Sequence, residues 1–250
     1  MTSYSVPIIR PPWTKLGKKL ESMVRKALFD YQMLENCKDV AVALSGGKDS
    51  LSLLFMLKAI SGRGFPKFTI HAIHVDGEFS CGAGVDKSYL RSVCESLDIN
   101  FVTCRSKQKQ EGIECYRCSR ERRSLIFNAA KKIGANVVAF GHHRDDSVQT
   151  LLMNLFHKAE FAANLPKVAM YDYGINIIRP LIYVSEKEIL SFARQNRFSR
   201  IVCQCPVAKN SMRKKVDNLL DEVEGLFPNI RVNIAKAGRV YGSDKANVRS

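Results

Sequence analysis

Ser45-Gly46-Gly47-Lys48-Asp49-Ser50 is the stretch whose residue types and spacing could do chemistry. It follows an apolar run, Val40 to Leu44, and precedes Leu51 to Leu57, which is also apolar. The run before it reads as a buried strand and the segment after it as a buried helix. Strand, glycine turn and helix N-terminus together form an anion site. Glycine lets the backbone approach phosphate oxygens, and the first helical turn points free N–H groups at them. Ser45 and Ser50 add hydroxyl donors, Lys48 adds a cation, and Asp49 suits a magnesium ion held between phosphates. The spacing fails the Walker A pattern. A serine/glycine turn without a ligand is the alternative, and the strand–turn–helix context argues against it.

Cysteine and carboxylate pairs carry the next signals. Cys115 and Cys118 have the spacing that lets two thiolates reach one metal, and Cys118 is expected at a helix start, where the dipole and nearby arginines favour thiolate. Cys203 and Cys205-Pro206 lie about 90 residues further on. Spacing alone leaves two readings level: Cys115, Cys118 and Cys205 around a [4Fe–4S] cluster with one open iron, or four cysteines closing a zinc site. Cys37, Cys81, Cys94 and Cys104 lack such spacing and read as ordinary thiols. Gly141-His142-His143-Arg144-Asp145-Asp146 puts two carboxylates at a helix start. They suit magnesium binding or proton transfer, helix capping being the plainer role. His74, at a strand end, reads as a hydrogen-bonded structural histidine.

Alternating elements must position these groups. The pattern predicts strands at 40–44, 68–75, 99–104 and 136–140 and helices at 49–60, 85–97, 119–134 and 144–157, with a short strand at 177–184. Such alternation implies an α/β fold: a parallel sheet with helices on both faces, binding ligands beyond the carboxyl ends of the strands. Leu16, Leu20, Met23, Val24, Ala27, Leu28 and Tyr31 mark an amphipathic N-terminal helix. Ser185 with Glu188 makes a capping box for a helix to Gln195. Residues 105–118 read as a long loop carrying the cysteine pair, and 159–176 as irregular. Two helical patterns separated by Pro228 fill 210–237. The expected division is an arm and helix at 1–38, a nucleotide domain at 39–200, and a cysteine loop with C-terminal helices at 201–250.

The chain has 250 residues and a net charge of +15. That excess favours a polyanionic partner, nucleic acid or an anionic membrane surface. Between Arg105 and Lys132 stand nine basic residues against three acidic ones, and Arg120, Arg122 and Arg123 are the candidates for contact with RNA. No run of about 18 apolar residues suggests a membrane span. No export signal is read at the N-terminus, so the expected location is cytoplasmic and the cysteines are expected to ligate metal or act as thiols.

The hexapeptide resembles the PP-loop signature of ATP pyrophosphatases, S-G-G-x-D-S, at every fixed position. Taken in order, S-G-G-K-D-S, C-x-x-C-S-R-x-R-R, G-H-H-R-D-D-x-x-Q-T, I-I-R-P-L-x-Y and C-P-x-x-x-N resemble the TtcA family of tRNA cytidine 2-thiolation enzymes across roughly residues 15–220. The resemblance implies an adenine nucleotide alpha hydrolase-like domain. It implies that ATP adenylates O2 of a cytidine just before the anticodon, and that sulfur carried on a [4Fe–4S] cluster displaces AMP. It puts the cluster ligands on Cys115, Cys118 and Cys205. ATP falls on Ser45, Gly46, Gly47, Lys48, Asp49 and Ser50 with Gly141 and Asp146, and catalysis on Asp145 and Lys48. The implied partners are the tRNA anticodon arm and a sulfur donor such as a cysteine desulfurase, with a homodimer as the possible assembly. A lysidine synthase-like ligase and a zinc-stabilised RNA-binding module are the other readings.

Overall fold

The computed structural model describes residues 7, 9, 11–77, 86–106, 115–198 and 212–242, with backbone alone at 115 and 116. Cys81, Cys203, Cys205 and Asn210 lie outside the described residues.

Six strands form one sheet in the order β3-β2-β1-β4-β6-β5. They are β1 (Asp39–Ala43), β2 (Thr69–Asp76), β3 (Asn100–Arg105), β4 (Val137–Ala139), β5 (Lys167–Met170) and β6 (Ile175–Ile178). All neighbours pair in parallel except β5 with β6. In β1, Val40 faces Ile70 of β2 on one side and Val137 of β4 on the other. Chain order therefore reverses direction between β1 and β4. This switch point opens the crevice where ligands of such sheets bind.

Apolar alternation along the strands explains the two layers. Val40, Val42, Leu44, Ile70, Ala72 and Val137 pack with α1 (Lys15–Asp30), α2 (Lys48–Ile60), α3 (Lys87–Ser96) and α6 (Glu186–Gln195). Ala41, Ile73, Val75 and Val138 pack with Ile126, Phe127 and Ala130 of α4 (Cys115–Lys132). Helix α2 is apolar nearly all round, which suits its position under α1 and α6. The predicted stripe of α1 is the buried one: Leu20, Val24, Ala27 and Leu28. Among the described residues, no helix is long and apolar enough to cross a membrane.

Three segments differ from the sequence reading. The strand expected at 177–184 ends at Ile178, because Pro180 has no N–H to give a ladder. The chain instead turns, with Ile182 N–H donating to Arg179 O and Val184 N–H to Leu181 O. Within the supposedly irregular 159–176, Lys167–Met170 forms the antiparallel edge strand β5. Helix α4 begins at Cys115, so the cysteine pair sits on its first turn and not in a loop.

The C-terminal helices α7 (Met212–Leu226) and α8 (Ile230–Val240) pack on α5 (Arg144–Lys158) through Val148, Val216, Leu220 and Ala235. A polar clamp ties the three. Asp217 Oδ1 accepts from Gln149 Nε2 at 3.1 Å and from Arg231 Nη1 at 2.8 Å. Arg231 is buried and also reaches Asp221 and Glu224. Replacing Arg231 by Met should lower stability by about 1–3 kcal/mol, nearer the low end because its partner carboxylates are partly exposed. Urea unfolding monitored by circular dichroism measures this, and an unchanged midpoint would remove the clamp from the stability of this lobe.

Candidate active site

The glycine loop is built as its residue types dictate. Gly46 has φ of +85°, a conformation open to glycine at little cost. Gly47 caps α2 with no side-chain acceptor, which leaves the first-turn N–H groups for an anion. Ser50 Oγ holds the loop closed, accepting from Ser45 N–H at 3.2 Å and donating to Gly47 O at 3.1 Å.

Across the switch point, Gly141 follows β4. A Cβ there would lie 3.0 Å from both Asp49 C and Ser50 N. Glycine is thus required because two backbones touch. His143 begins α5 as its N-cap: its Nδ1 accepts from Asp146 N–H at 3.3 Å, and Asp146 Oδ2 accepts from His143 N–H at 3.0 Å.

These elements enclose a cavity of about 280 Å³. Ser45, Asp49 and Ser50 line it from the loop, Gly141, His142 and Asp146 from the β4–α5 turn, and Ser119, Arg122 and Arg123 from α4. Ile73, Val75, Ile126 and Phe140 supply apolar wall. A polar, cationic end beside an apolar wall suits a nucleotide, phosphates at the loop and base on the wall.

Not every expected residue enters this cavity. Lys48 is outside the lining, with Nζ 2.9 Å from Glu186 Oε1 and 3.1 Å from Asp49 Oδ1. Burial pulls the Lys48 ammonium down, but Asp49 and Glu186 outweigh it and its pKa is raised. Asp145 is also outside: Oδ2 accepts Glu186 N–H at 2.6 Å, at the start of α6, and Oδ1 faces Arg144 Nε at 3.2 Å. The carboxylates that face the cavity are Asp49 and Asp146. Of the three arginines expected on an RNA surface, Arg120 is exposed on α4, while Arg122 and Arg123 line the cavity. Arg122 Nε is buried with no hydrogen-bond partner among the described residues. Cys118 is buried one helical turn before Arg122, about 6 Å along the axis. His74 is structural, as expected, with Nδ1 2.8 Å from Leu44 O.

The electrostatics divide the two carboxylates. Burial pushes the Asp49 carboxyl up, with Lys48 and His143 pulling the other way. Burial alone would raise Asp146 too, but His143, His142 and Arg213 outweigh it and hold it below the usual range. Arg213 reaches in from α7, its Nη1 2.9 Å from Asp146 Oδ1 and its Nη2 3.2 Å from Thr150 Oγ1.

Comparison with known proteins agrees with this geometry. The PP-loop domain family matches residues 12–204. A tRNA-cytidine(32) 2-sulfurtransferase of Geobacter sulfurreducens is 34% identical over 228 residues, 88% of each chain. One from Cupriavidus taiwanensis is 37% identical, over 90% of this chain and 75% of its own. The chain belongs to the tRNA-cytidine(32) 2-sulfurtransferase family of PP-loop proteins. The U34-tRNA thiolase NcsA from Methanococcus maripaludis, solved with its [4Fe-4S] cluster, shares the fold: TM-score 0.75 at 24% identity, over 89% of this chain and 77% of that one.

Sequence reasoning about this family member missed His142, His143, Arg179, Glu186 and Arg213 as parts of the site. The two histidines stand in a motif that was read only for its glycine and carboxylates. Arg179, in Ile178-Arg179-Pro180, is buried and donates from Nε to His142 Nδ1 at 3.4 Å. Arg213 and Glu186 carried no local signal, since each reaches the site only through packing of its helix.

Burial, then Arg179, pulls His142 down to about 3, so it stays neutral near pH 7. Unfolded, it titrates near 6.5. Between those values the unfolded chain binds the extra proton, so this histidine's contribution is lost as pH falls from 6.5 toward 3. The expected slope from this group is at most about 1.4 kcal/mol per pH unit. Urea unfolding at pH 7 and pH 5 should show His142→Gln losing less stability than the parent on acidification. An equal loss in both proteins would show that His142 does not contribute.

Proposed function

We propose that this chain, like the relatives so named, is a tRNA-cytidine(32) 2-sulfurtransferase, and that it uses ATP to replace O2 of an anticodon-loop cytidine with sulfur. One observation carries the reading. The phosphate-type loop and the arginines of the helix that begins with the cysteine pair line a single cavity.

The chemistry follows from the substrates. A ring carbonyl oxygen is a poor leaving group. O2 attacks the α-phosphorus of ATP and pyrophosphate leaves. A sulfur nucleophile then adds at C2, and the oxygen departs with AMP. Ser45, Ser50 and the first-turn N–H groups of α2 hold phosphate oxygens. Gly46 and Gly47 let the backbone come close. Arg122, whose buried Nε has no protein partner, offers its charge to phosphate oxygens as pyrophosphate and AMP leave.

Asp49 and Asp146 fit a magnesium ion: Asp49 Oδ1 is buried and accepts no hydrogen bond, and Asp146 faces the same cavity. Asp145 serves by holding the start of α6, which keeps Glu186 against Lys48. Lys48, paired with Asp49 and Glu186 beside the loop, is proposed to exchange Asp49 for a phosphate oxygen when ATP binds.

Cys115 and Cys118 are three residues apart on the first turn of α4, where the dipole favours thiolate. With Cys205 they are proposed to hold a [4Fe–4S] cluster, which when bound supplies the sulfur. Cys203 is left out, since a fourth thiolate would close the site. A cysteine desulfurase is the proposed sulfur source, and a homodimer the proposed assembly. The anticodon arm is the proposed RNA contact: Arg117 and Arg120, both exposed on α4, flank the cavity helix, and a basic chain attracts phosphates. The division proposed is ATP chemistry in 39–200, with 1–38 and 201–250 completing the site and the RNA surface.

Protein purified without oxygen, incubated with tRNA, ATP and sulfide, should yield 2-thiocytidine and AMP by mass spectrometry of the digested nucleosides. Absence of both products would overturn the reading. Asp49→Asn should fold normally and lose at least about a hundredfold in AMP formation. Cys205→Ala should lose the brown colour of the cluster, while Cys203→Ala keeps colour and thiolation. The reverse result would move the third ligand to Cys203.

A further inference from the structure

We propose that His143 is a positioning residue whose imidazole, locked with its proton on Nε2, holds Asp49 and Asp146 as one matched pair for the divalent cation that accompanies ATP. The inference rests on the nucleotide reading given above and assigns a role to a residue outside that reading.

The tautomer follows from the helix start. His143 is only 4% exposed, and its Nδ1 is used up in accepting Asp146 N–H at 3.3 Å. A neutral imidazole has one ring proton, which must then sit on Nε2. That atom lies 3.4 Å from Asp146 Oδ2 and 3.8 Å from Asp49 Oδ1. It stands between carboxylates from two different helices.

Helix capping does not explain an imidazole at this position. A cap needs one acceptor, and Ser, Asn or Asp supplies it with a shorter side chain. What histidine adds is a second nitrogen, placed rigidly beyond the helix end. Asp146 is already restrained, because Oδ2 accepts His143 N–H at 3.0 Å. Asp49 is held less firmly: Lys48 Nζ donates to its Oδ2 at 3.2 Å and lies 3.1 Å from its Oδ1, and among the described residues that buried Oδ1 has no hydrogen-bond partner, with His143 Nε2 3.8 Å away. Two carboxylates this close repel and would turn apart. An N–H dipole between them, 3.4 and 3.8 Å from the two oxygens, offsets part of that repulsion and favours both facing one point, closing to hydrogen-bond distance when a cation draws the carboxylates in. Residues that orient the ligands of a metal in this way typically contribute 10–100-fold to its affinity.

The test uses the full-length protein and a non-hydrolysable ATP analogue. His143→Asn keeps an acceptor for the cap and lacks the reaching N–H. Its melting temperature should stay within a few degrees of the parent. The magnesium concentration needed for half-maximal analogue binding, read by calorimetry, should rise roughly tenfold or more. Binding of AMP without magnesium should change less than about twofold. A folded His143→Asn with the parent's magnesium requirement would make the imidazole a cap and nothing more. If Asn does not fold, His143→Ser, another good cap, carries the same test. Failure of both to fold also overturns the proposal, by making the imidazole necessary to the helix start itself. Parent protein that binds the analogue without any magnesium dependence would sink the nucleotide reading along with it. Dependence retained equally in parent and variant would sink this inference alone.

Discussion

Everything in this molecule's site depends on a backbone contact: the start of α2 presses on Gly141 so closely that no side chain fits between them. The contact exists because β1 and β4 are neighbours in a parallel sheet, and both end at the same edge. Each strand is followed at once by a turn and a helix. Two helix N-termini therefore converge, α2 with no side-chain cap and α5 capped by His143. Asp49 opens one helix and Asp146 the other. Had residue 141 carried a Cβ, the backbone at the start of α2 would have to give way by a few tenths of an ångström. Close packing of this kind transmits small steric changes directly to the site.

The charges around this contact are balanced in pairs, each tied to a different element. Lys48 joins Asp49 to Glu186 of α6. Arg213 brings α7 to Asp146 and Thr150. Arg179 steadies His142 from the turn after β6. Such a network offsets part of the cost of burying these ions. It also ties the site to α6 and α7, which come late in the chain. The clamp at Asp217 and Arg231 holds α7 on α5 and α8.

The position of α4 relates the RNA and nucleotide readings. Its first turn carries the cysteine pair, its next turn points Arg122 and Arg123 into the cavity, and Arg117 and Arg120 are exposed. One helix thus presents a buried cysteine, cavity-lining arginines and exposed arginines on different faces. The basic cluster in the sequence is therefore not a single surface. Helical periodicity divides it, because residues two apart lie on different faces.

Local order in the chain was sufficient to specify the sheet, the glycine loop and the family resemblance. The apolar run of β1, the glycines after it and the largely apolar α2 leave few alternatives, since strand, turn and helix each follow from residues adjacent in sequence. The stripe of α1 and the capping box at Ser185 and Glu188 were legible for the same reason. Tertiary structure alone decided which neighbours do what. Asp145 and Asp146 are adjacent and look interchangeable, yet successive side chains on a helix point about 100° apart. One caps α6 and the other faces the cavity. Lys48 turned to Glu186, Arg213 came from more than sixty residues away, and β5 closed an edge that its own four residues did not announce. These outcomes depend on packing between elements distant in the chain, and no local pattern encodes a partner that distant.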